Sequence, residues 1–85
     1  MSRLSELLKK APQSIKDRYN SKIRDNAIQE VKKKIIKLNK KISDYSDEEM
    51  EIMIKEEEAR INETVKISIL TTLLVTAGIK LSFFS

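Results

Sequence analysis

The sequence of 85 residues contains no cysteine, no histidine, and only one glycine and one proline. Without cysteine or histidine, the chain can form neither a disulfide nor a zinc site of the usual ligand types. A chain of this length also has room for only a small hydrophobic core, which by itself gives little net stability. We therefore expect additional support from a protein partner, from a second copy of the chain, or from lipid.

The same absences remove most catalytic groups. A Ser-His or Cys-His nucleophile pair cannot form, and no imidazole is present to exchange protons near neutral pH. The single glycine, Gly78, cannot supply a glycine-rich phosphate loop. Consecutive glutamates at positions 56–58 would point in different directions on a helix, which disfavours a pair of catalytic carboxylates. We predict a non-enzymatic protein with no catalytic residue, no cofactor and no metal.

The remaining composition predicts an all-α fold, because good helix formers dominate and helix-breaking residues are scarce. Pro12 separates a short first helix from the next helix, and it suits the first turn of that helix. Ser46 and Glu49 have the spacing of a capping box, which predicts a helix start at residue 47. We predict a single domain over 1–85, a small helical hairpin or bundle. Its segments are a short helix in 1–11, a basic helix over 12–42, a turn at 43–46, and a long acidic-then-apolar C-terminal helix over 47–82.

Apolar residues on the predicted second helix change their spacing along the chain. They first recur at every fourth position from Ile15 to Ala27, and then alternate between steps of three and four, as in a heptad repeat. This pattern predicts a heptad seam formed by Ile28, Val31, Ile35, Leu38, Ile42 and Tyr45. The seam covers only about two and a half repeats, so a helical hairpin or a short bundle explains it as well as a coiled coil does. Its members, apart from Tyr45, form one candidate protein interface, and Ile69, Leu70, Leu73 and Leu74 form another. Both sets could equally belong to an internal core.

Charge is strongly segregated along the chain. Residues 1–42 contain 13 Lys/Arg and 4 Asp/Glu, a net charge of +9, whereas residues 43–63 contain 2 and 9, a net charge of −7. A basic helix followed by an acidic helix can fold back antiparallel so that the opposite charges face each other. Single exposed pairs contribute only about 0–1 kcal/mol, so we expect them mainly to select orientation.

Six lysines lie between residues 32 and 41, and Lys33, Lys37 and Lys40 are candidate contacts for an anionic partner. Lysines of this kind can bind nucleic acid in a salt-dependent manner. Nucleic acid is nevertheless disfavoured, because base recognition also needs groove-reading or stacking side chains and the two tyrosines lie close to the apolar seam. A solvated face and a contact with protein or anionic lipid remain as alternatives.

The segment 67–84 is rich in apolar residues and is close to the length needed to span a bilayer. Because the Lys and Arg residues lie mostly before this segment, a spanning tail would leave residues 1–66 in the cytoplasm. However, Ser68, Thr72 and Thr76 recur at every fourth position and predict a polar row along one side of a helix. This row favours a helix packed against protein, with a tail anchor and a peripheral interfacial helix as alternatives.

The segment 11–46, APQSIKDRYNSKIRDNAIQEVKKKIIKLNKKISDYS, resembles small lysine- and isoleucine-rich helical accessory proteins of T-even-type bacteriophages. Among these are cytoplasmic lysis-inhibition proteins, the antiholins. The resemblance implies binding to the cytoplasmic segment of a membrane-embedded holin, and it assigns no functional residue. No signal-peptide segment is visible in Met1–Lys10. We expect a cytoplasmic regulatory protein, at the inner face of the membrane if the antiholin resemblance holds, which acts by helix–helix binding and forms a homo-oligomer.

Overall fold

The computed structural model describes residues 3–78, and every regular element within them is helical. The helices in chain order are α1 (Arg3–Lys10), α2 (Gln13–Lys37), α3 (Asp47–Arg60) and α4 (Glu63–Thr76), with a short 3-10 helix at Ile42–Asp44 before α3. The fold is therefore all-α and of the helical bundle class, as the composition predicts. Residues 79–82 of the predicted last helix lie outside the described residues.

The starts of α2 and α3 follow the local signals in the sequence. The carbonyl of Pro12 accepts a hydrogen bond from the backbone N–H of Lys16 at 3.1 Å, which opens α2 directly after the proline. At the start of α3, the hydroxyl oxygen of Ser46 accepts from the Glu49 N–H at 3.1 Å. The Glu49 carboxylate in turn accepts from the Ser46 N–H at 2.9 Å, which completes the predicted capping box.

Helix α2 ends at Lys37, five residues earlier than residue 42, the predicted end. Asn39 adopts a left-handed conformation with φ 57°, and its N–H donates to the carbonyl of Ile36 at 3.0 Å. The N–H of Lys40 donates to the carbonyl of Ile35 at 3.1 Å. These two bonds form a Schellman motif, in which asparagine takes the place more often held by glycine. The heptad-like spacing continues through this turn, but the helix does not.

The predicted continuous helix over 47–82 is interrupted at Ile61 and Asn62. Ile61 is extended, with φ −64° and ψ 122°, and ends α3. The side-chain oxygen of Asn62 accepts a hydrogen bond from the Val65 N–H at 2.9 Å and caps α4. An asparagine side chain can satisfy a helix-terminal N–H in this way, so the helix can restart without a glycine or proline.

The described residues divide into two compact units, of which the first contains residues 3–22 together with residues 62–78. In this unit α1 and α4 are in direct contact. The buried apolar residues of α1 and α4 are Leu7, at 1% exposure, and Leu70 and Leu74. Three further residues of this unit are buried: Ala11 between α1 and α2, and Ile15 and Tyr19 in the first half of α2.

The second unit comprises Ile23–Ile61, and its core lies between α2 and α3. Ala27, Val31 and Ile35 on α2 form a buried cluster with Ile54 on α3. Partly buried side chains pack against this cluster: Ile28, Tyr45, Met50 and Met53. The buried residues of α2 in this unit are therefore spaced by four, from Ile23 to Ile35. The heptad-like seam predicted from the sequence is buried only at Val31 and Ile35, and its later members Leu38 and Ile42 are exposed.

Two ion pairs connect α2 with α3 in the second unit. Arg24 donates to Glu51, and Lys34 donates to Glu57. Basic residues of α2 thus meet acidic residues of α3. In an antiparallel hairpin, the later residue of the first helix would pair with the earlier residue of the second helix. Here the later residue of α2, Lys34, pairs with the later residue of α3, Glu57.

Candidate helix-binding groove

An open groove of about 380 Å³ lies on the first unit, along one side of α4. It is lined by Lys22 of α2 and by five residues of α4, namely Ser68, Ile69, Thr72, Leu73 and Thr76. The α4 residues span about 12 Å along the helix axis, or slightly more than two turns. The groove is long enough to accept two turns of another helix.

The apolar floor of the groove comes from Ile69 and Leu73. Their neighbours Leu70 and Leu74, at 0% and 3% exposure, belong to the core of the unit. Ile69 and Leu73 are only partly buried, so they leave apolar surface along the groove. The two residues of each pair, Ile69 with Leu73 and Leu70 with Leu74, are four positions apart, so the pairs form two adjacent rows along α4. One row stabilises the unit, and the adjacent row remains accessible.

Ser68, Thr72 and Thr76 form the polar row predicted from their spacing, and all three are exposed. The hydroxyl of Thr72 donates to the backbone carbonyl of Ser68 at 2.8 Å. Because this hydroxyl already has an acceptor within α4, covering it with another surface carries a smaller desolvation cost than covering a free hydroxyl. The small side chains of this row also permit the close approach of a second backbone.

Lys22 is the charged residue of the groove lining and is exposed. Within residues 3–78 it forms no ion pair. Its ammonium group is thus available to a carboxylate of a bound molecule. Lys22 is not predictable as a groove residue from the sequence, because its position beside α4 depends on how α2 and α4 pack within the first unit.

The structure divides both sets of predicted interface residues. From the C-terminal set, Leu70 and Leu74 are core residues, whereas Ile69 and Leu73 line the groove. The set on and after α2 is divided as follows: Val31 and Ile35 are buried in the second unit, Ile28 is partly buried, and Leu38 and Ile42 are exposed at 61% and 46%. Only Ile69 and Leu73 therefore contribute to the groove.

The three candidate anion-binding lysines are exposed on the second unit. Lys33 lies 3.4 Å from a carboxylate oxygen of Glu30, and Lys40 lies over the ring of Tyr45 with its ammonium 5.8 Å from the ring centroid. Lys37 forms no ion pair with any described residue. None of the three lines the α4 groove.

The candidate membrane span at 67–84 is described only as far as residue 78, and the part at 79–84 lies outside the described residues. Within residues 3–78, every helix is too short or too polar to traverse a bilayer. Residues 67–76 belong to α4.

Comparison of the chain with protein-family models, with curated proteins and with solved structures found no match. Support for a function therefore comes from the groove and from the properties of the sequence.

Proposed function

We propose that this protein is a non-enzymatic interaction protein whose α4 groove binds an α-helix. The observation that carries the proposal is the pair Ile69 and Leu73, which remain partly accessible in the groove although the adjacent Leu70 and Leu74 are buried. The occupant is the apolar face of an amphipathic helix. A carboxylate beside that face would meet Lys22.

The pattern of the lining supports a helix as occupant. Ile69 and Leu73 form one row with a spacing of four, and Ser68, Thr72 and Thr76 form the adjacent row. Rows of this kind are the ridges of an α-helix, and the furrow between them accepts a ridge of a second helix. An apolar side chain that enters the furrow contributes roughly 25 cal/mol for each Å² of apolar surface that it removes from water.

We propose a second copy of the chain as one occupant, with α4 packed against α4 across a two-fold axis. Such a contact is self-complementary, because each copy offers both the apolar row and the furrow. Self-association would also give an 85-residue chain without disulfides the additional buried surface that it needs.

The resemblance to T-even-type phage accessory proteins supplies a candidate for the other occupant. We propose the cytoplasmic segment of a holin, with delayed lysis as the consequence of binding and the cytoplasmic side of the membrane as the location. The resemblance supports this identity, whereas the groove supports only the kind of contact. The two parts of the proposal can therefore fail separately.

Sedimentation velocity of the untagged full-length protein in detergent-free buffer tests self-association. We expect a dimer that Leu73→Asp dissociates, because a carboxylate would be placed on the floor of the groove. Val75→Asp is the matched control, since Val75 lies on the same helix, is 59% exposed and does not line the groove. A monomer at all accessible concentrations, or equal dissociation by both variants, would contradict the dimer.

Calorimetric titration with a synthetic cytoplasmic segment of a T-even-type holin tests the other occupant. We expect binding that Leu73→Asp removes, that Lys22→Gln weakens, and that Val75→Asp leaves intact. Absence of binding by the folded wild-type protein would contradict the holin proposal and leave the dimer experiment unaffected.

A further inference from the structure

A second surface, separate from the groove residues, combines exposed apolar side chains with lysines. It consists of residues 32–42 in the second unit, named here the basic-apolar segment. Ile36, Leu38 and Ile42 are exposed at 71%, 61% and 46%. Isolated exposed apolar residues are common, but three within seven residues form a local concentration that calls for a physical explanation.

The backbone of this segment is internally hydrogen-bonded at its sharpest bend. The N–H groups of Leu38, Asn39 and Lys40 donate to carbonyls of the last turn of α2 at 3.0–3.2 Å. The N–H of Lys41 donates to the Asp44 carboxylate at 2.8 Å. Unpaired backbone groups are costly wherever water is scarce. This turn can therefore enter a partly dehydrated region without leaving its N–H groups unsatisfied.

The charge of the segment has one sign. Residues 31–43 contain six lysines and no acidic residue. Lys34 is paired with Glu57, Lys33 lies near Glu30, and Lys40 lies over Tyr45. Lys32, Lys37 and Lys41 are exposed and form no ion pair with any residue in 3–78. At least three exposed lysines without an ion pair thus lie in the same short stretch of sequence as the exposed apolar side chains.

We propose that the basic-apolar segment binds the surface of an anionic phospholipid bilayer. Ile36, Leu38 and Ile42 enter the interface between headgroups and acyl chains, while the lysines contact lipid phosphates. Anionic membranes attract polybasic segments electrostatically, and apolar side chains add buried area that depends little on salt. The bilayer fits better than nucleic acid, because a phosphate backbone in water offers nothing to three exposed aliphatic side chains.

Vesicle flotation of the full-length protein tests this proposal, with vesicles of phosphatidylglycerol and phosphatidylethanolamine compared with vesicles of phosphatidylcholine alone. The charge variant is Lys37→Gln with Lys41→Gln. Its control is Arg18→Gln with Lys55→Gln, which removes the same charge from exposed positions outside the segment. The apolar variant is Leu38→Ser, and its control is Ile52→Ser, because Ile52 is 60% exposed on α3.

We expect binding to the anionic vesicles and little binding to the neutral ones. Each lysine near an anionic surface contributes roughly a fivefold increase in affinity, so the charge variant should bind about 25-fold more weakly. Loss of the Leu38 side chain should weaken binding roughly tenfold. Each control should change the affinity less than about threefold, and circular dichroism should show the same helicity in all variants.

Equal binding to neutral and anionic vesicles would overturn the proposal, because it would assign the contact to another apolar part of the chain. Equal losses in the charge variant and its control would also overturn it, since net charge alone would then explain the effect. Binding to duplex DNA or RNA without binding to vesicles would assign the lysines to nucleic acid. Leu73→Asp should keep the preference for anionic over neutral vesicles, which separates this proposal from that of the groove.

Discussion

The ammonium group of Lys34 donates a hydrogen bond to the carboxylate of Glu57, a residue that is only 8% exposed. The same Glu57 oxygen accepts a second hydrogen bond from Nη1 of Arg60 at 2.9 Å. Within residues 3–78, Glu57 is the one charged residue that is buried. A buried carboxylate normally needs such partners, because the loss of hydration is not otherwise compensated. Lys34 and Arg60 therefore allow an acidic residue to lie beside the core of the second unit.

Glu57→Gln is expected to lower the free energy of unfolding at neutral pH. It should also reduce the stability that the protein loses when the pH is lowered from 7 to 3. The hydrogen bond from Lys34 holds the pKa of Glu57 below its ordinary value. A depressed pKa in the folded state contributes stability that is present above the unfolded pKa of about 4.3 and is lost as the pH falls through the folded value. Urea denaturation midpoints at pH 7 and pH 3 measure both effects.

Glu56→Gln is the matched control for this prediction, because Glu56 is the preceding residue on α3 and is exposed. The two variants should differ at pH 7, and the difference should narrow as the pH falls to 3. If Glu57→Gln loses as much stability on acidification as the wild-type protein does, the pair with Lys34 does not contribute to the acid dependence.

Ile35→Ala is expected to lower the free energy of unfolding by about 2–5 kcal/mol, the usual range for removing a buried isoleucine side chain. Ile35 is 0% exposed, whereas the adjacent Ile36 is 71% exposed. Ile36→Ala should therefore change the free energy of unfolding by less than about 0.5 kcal/mol. Chemical denaturation of both variants measures these free energies of unfolding. Similar decreases in the two variants would contradict the burial of Ile35 and the exposure of Ile36.

Thr71→Val is expected to stabilise the protein by about 1 kcal/mol, because it removes a buried hydroxyl without a partner. Among the described residues, Oγ1 of Thr71 is buried and forms no hydrogen bond. Thr72→Val is the control, since the Thr72 hydroxyl is hydrogen-bonded to the Ser68 carbonyl and the residue is exposed. Thermal unfolding compares the two, and a lower midpoint for Thr71→Val would show that its hydroxyl has a favourable role.

Ser46→Ala is expected to cost about 1 kcal/mol, the typical effect of removing an N-cap side chain. The Ser46 hydroxyl oxygen accepts from the Glu49 N–H, and without it the first turn of α3 loses one half of the capping box. Ser43→Ala is the control, because Ser43 is exposed and lies three residues before the cap. Equal denaturation midpoints for the two variants would contradict a stabilising role of the cap.

The helical fold class and two helix starts could be predicted because their causes are local. Pro12 restricts its own backbone and that of Ala11, and Ser46 with Glu49 supplies hydrogen bonds within one turn. Asn39 and Asn62 also act locally, but asparagine is compatible with several conformations. The end of α2 at Asn39 and the start of α4 at Asn62 are therefore not predictable from these residues alone, although asparagine is a known residue type at both kinds of cap.

The candidate groove was only half predictable. The sequence identified the polar row at Ser68, Thr72 and Thr76 and an apolar set that included Ile69 and Leu73. It could not distinguish these two residues from Leu70 and Leu74, because all four have nearly the same hydrophobicity and adjacent positions on one helix. Which row faces the core depends on the rotation of α4 against α1, and that rotation is set by packing.

Composition and short-range spacing by themselves determined that this chain is helical, that two of its helices start where they do, and that its charges lie in opposite blocks. Tertiary structure alone decided which apolar line of α2 is buried, which cations reach Glu51 and Glu57, and which row of α4 remains accessible. The physical reason is range: a cap acts within one helical turn, whereas burial depends on side chains that are distant in sequence.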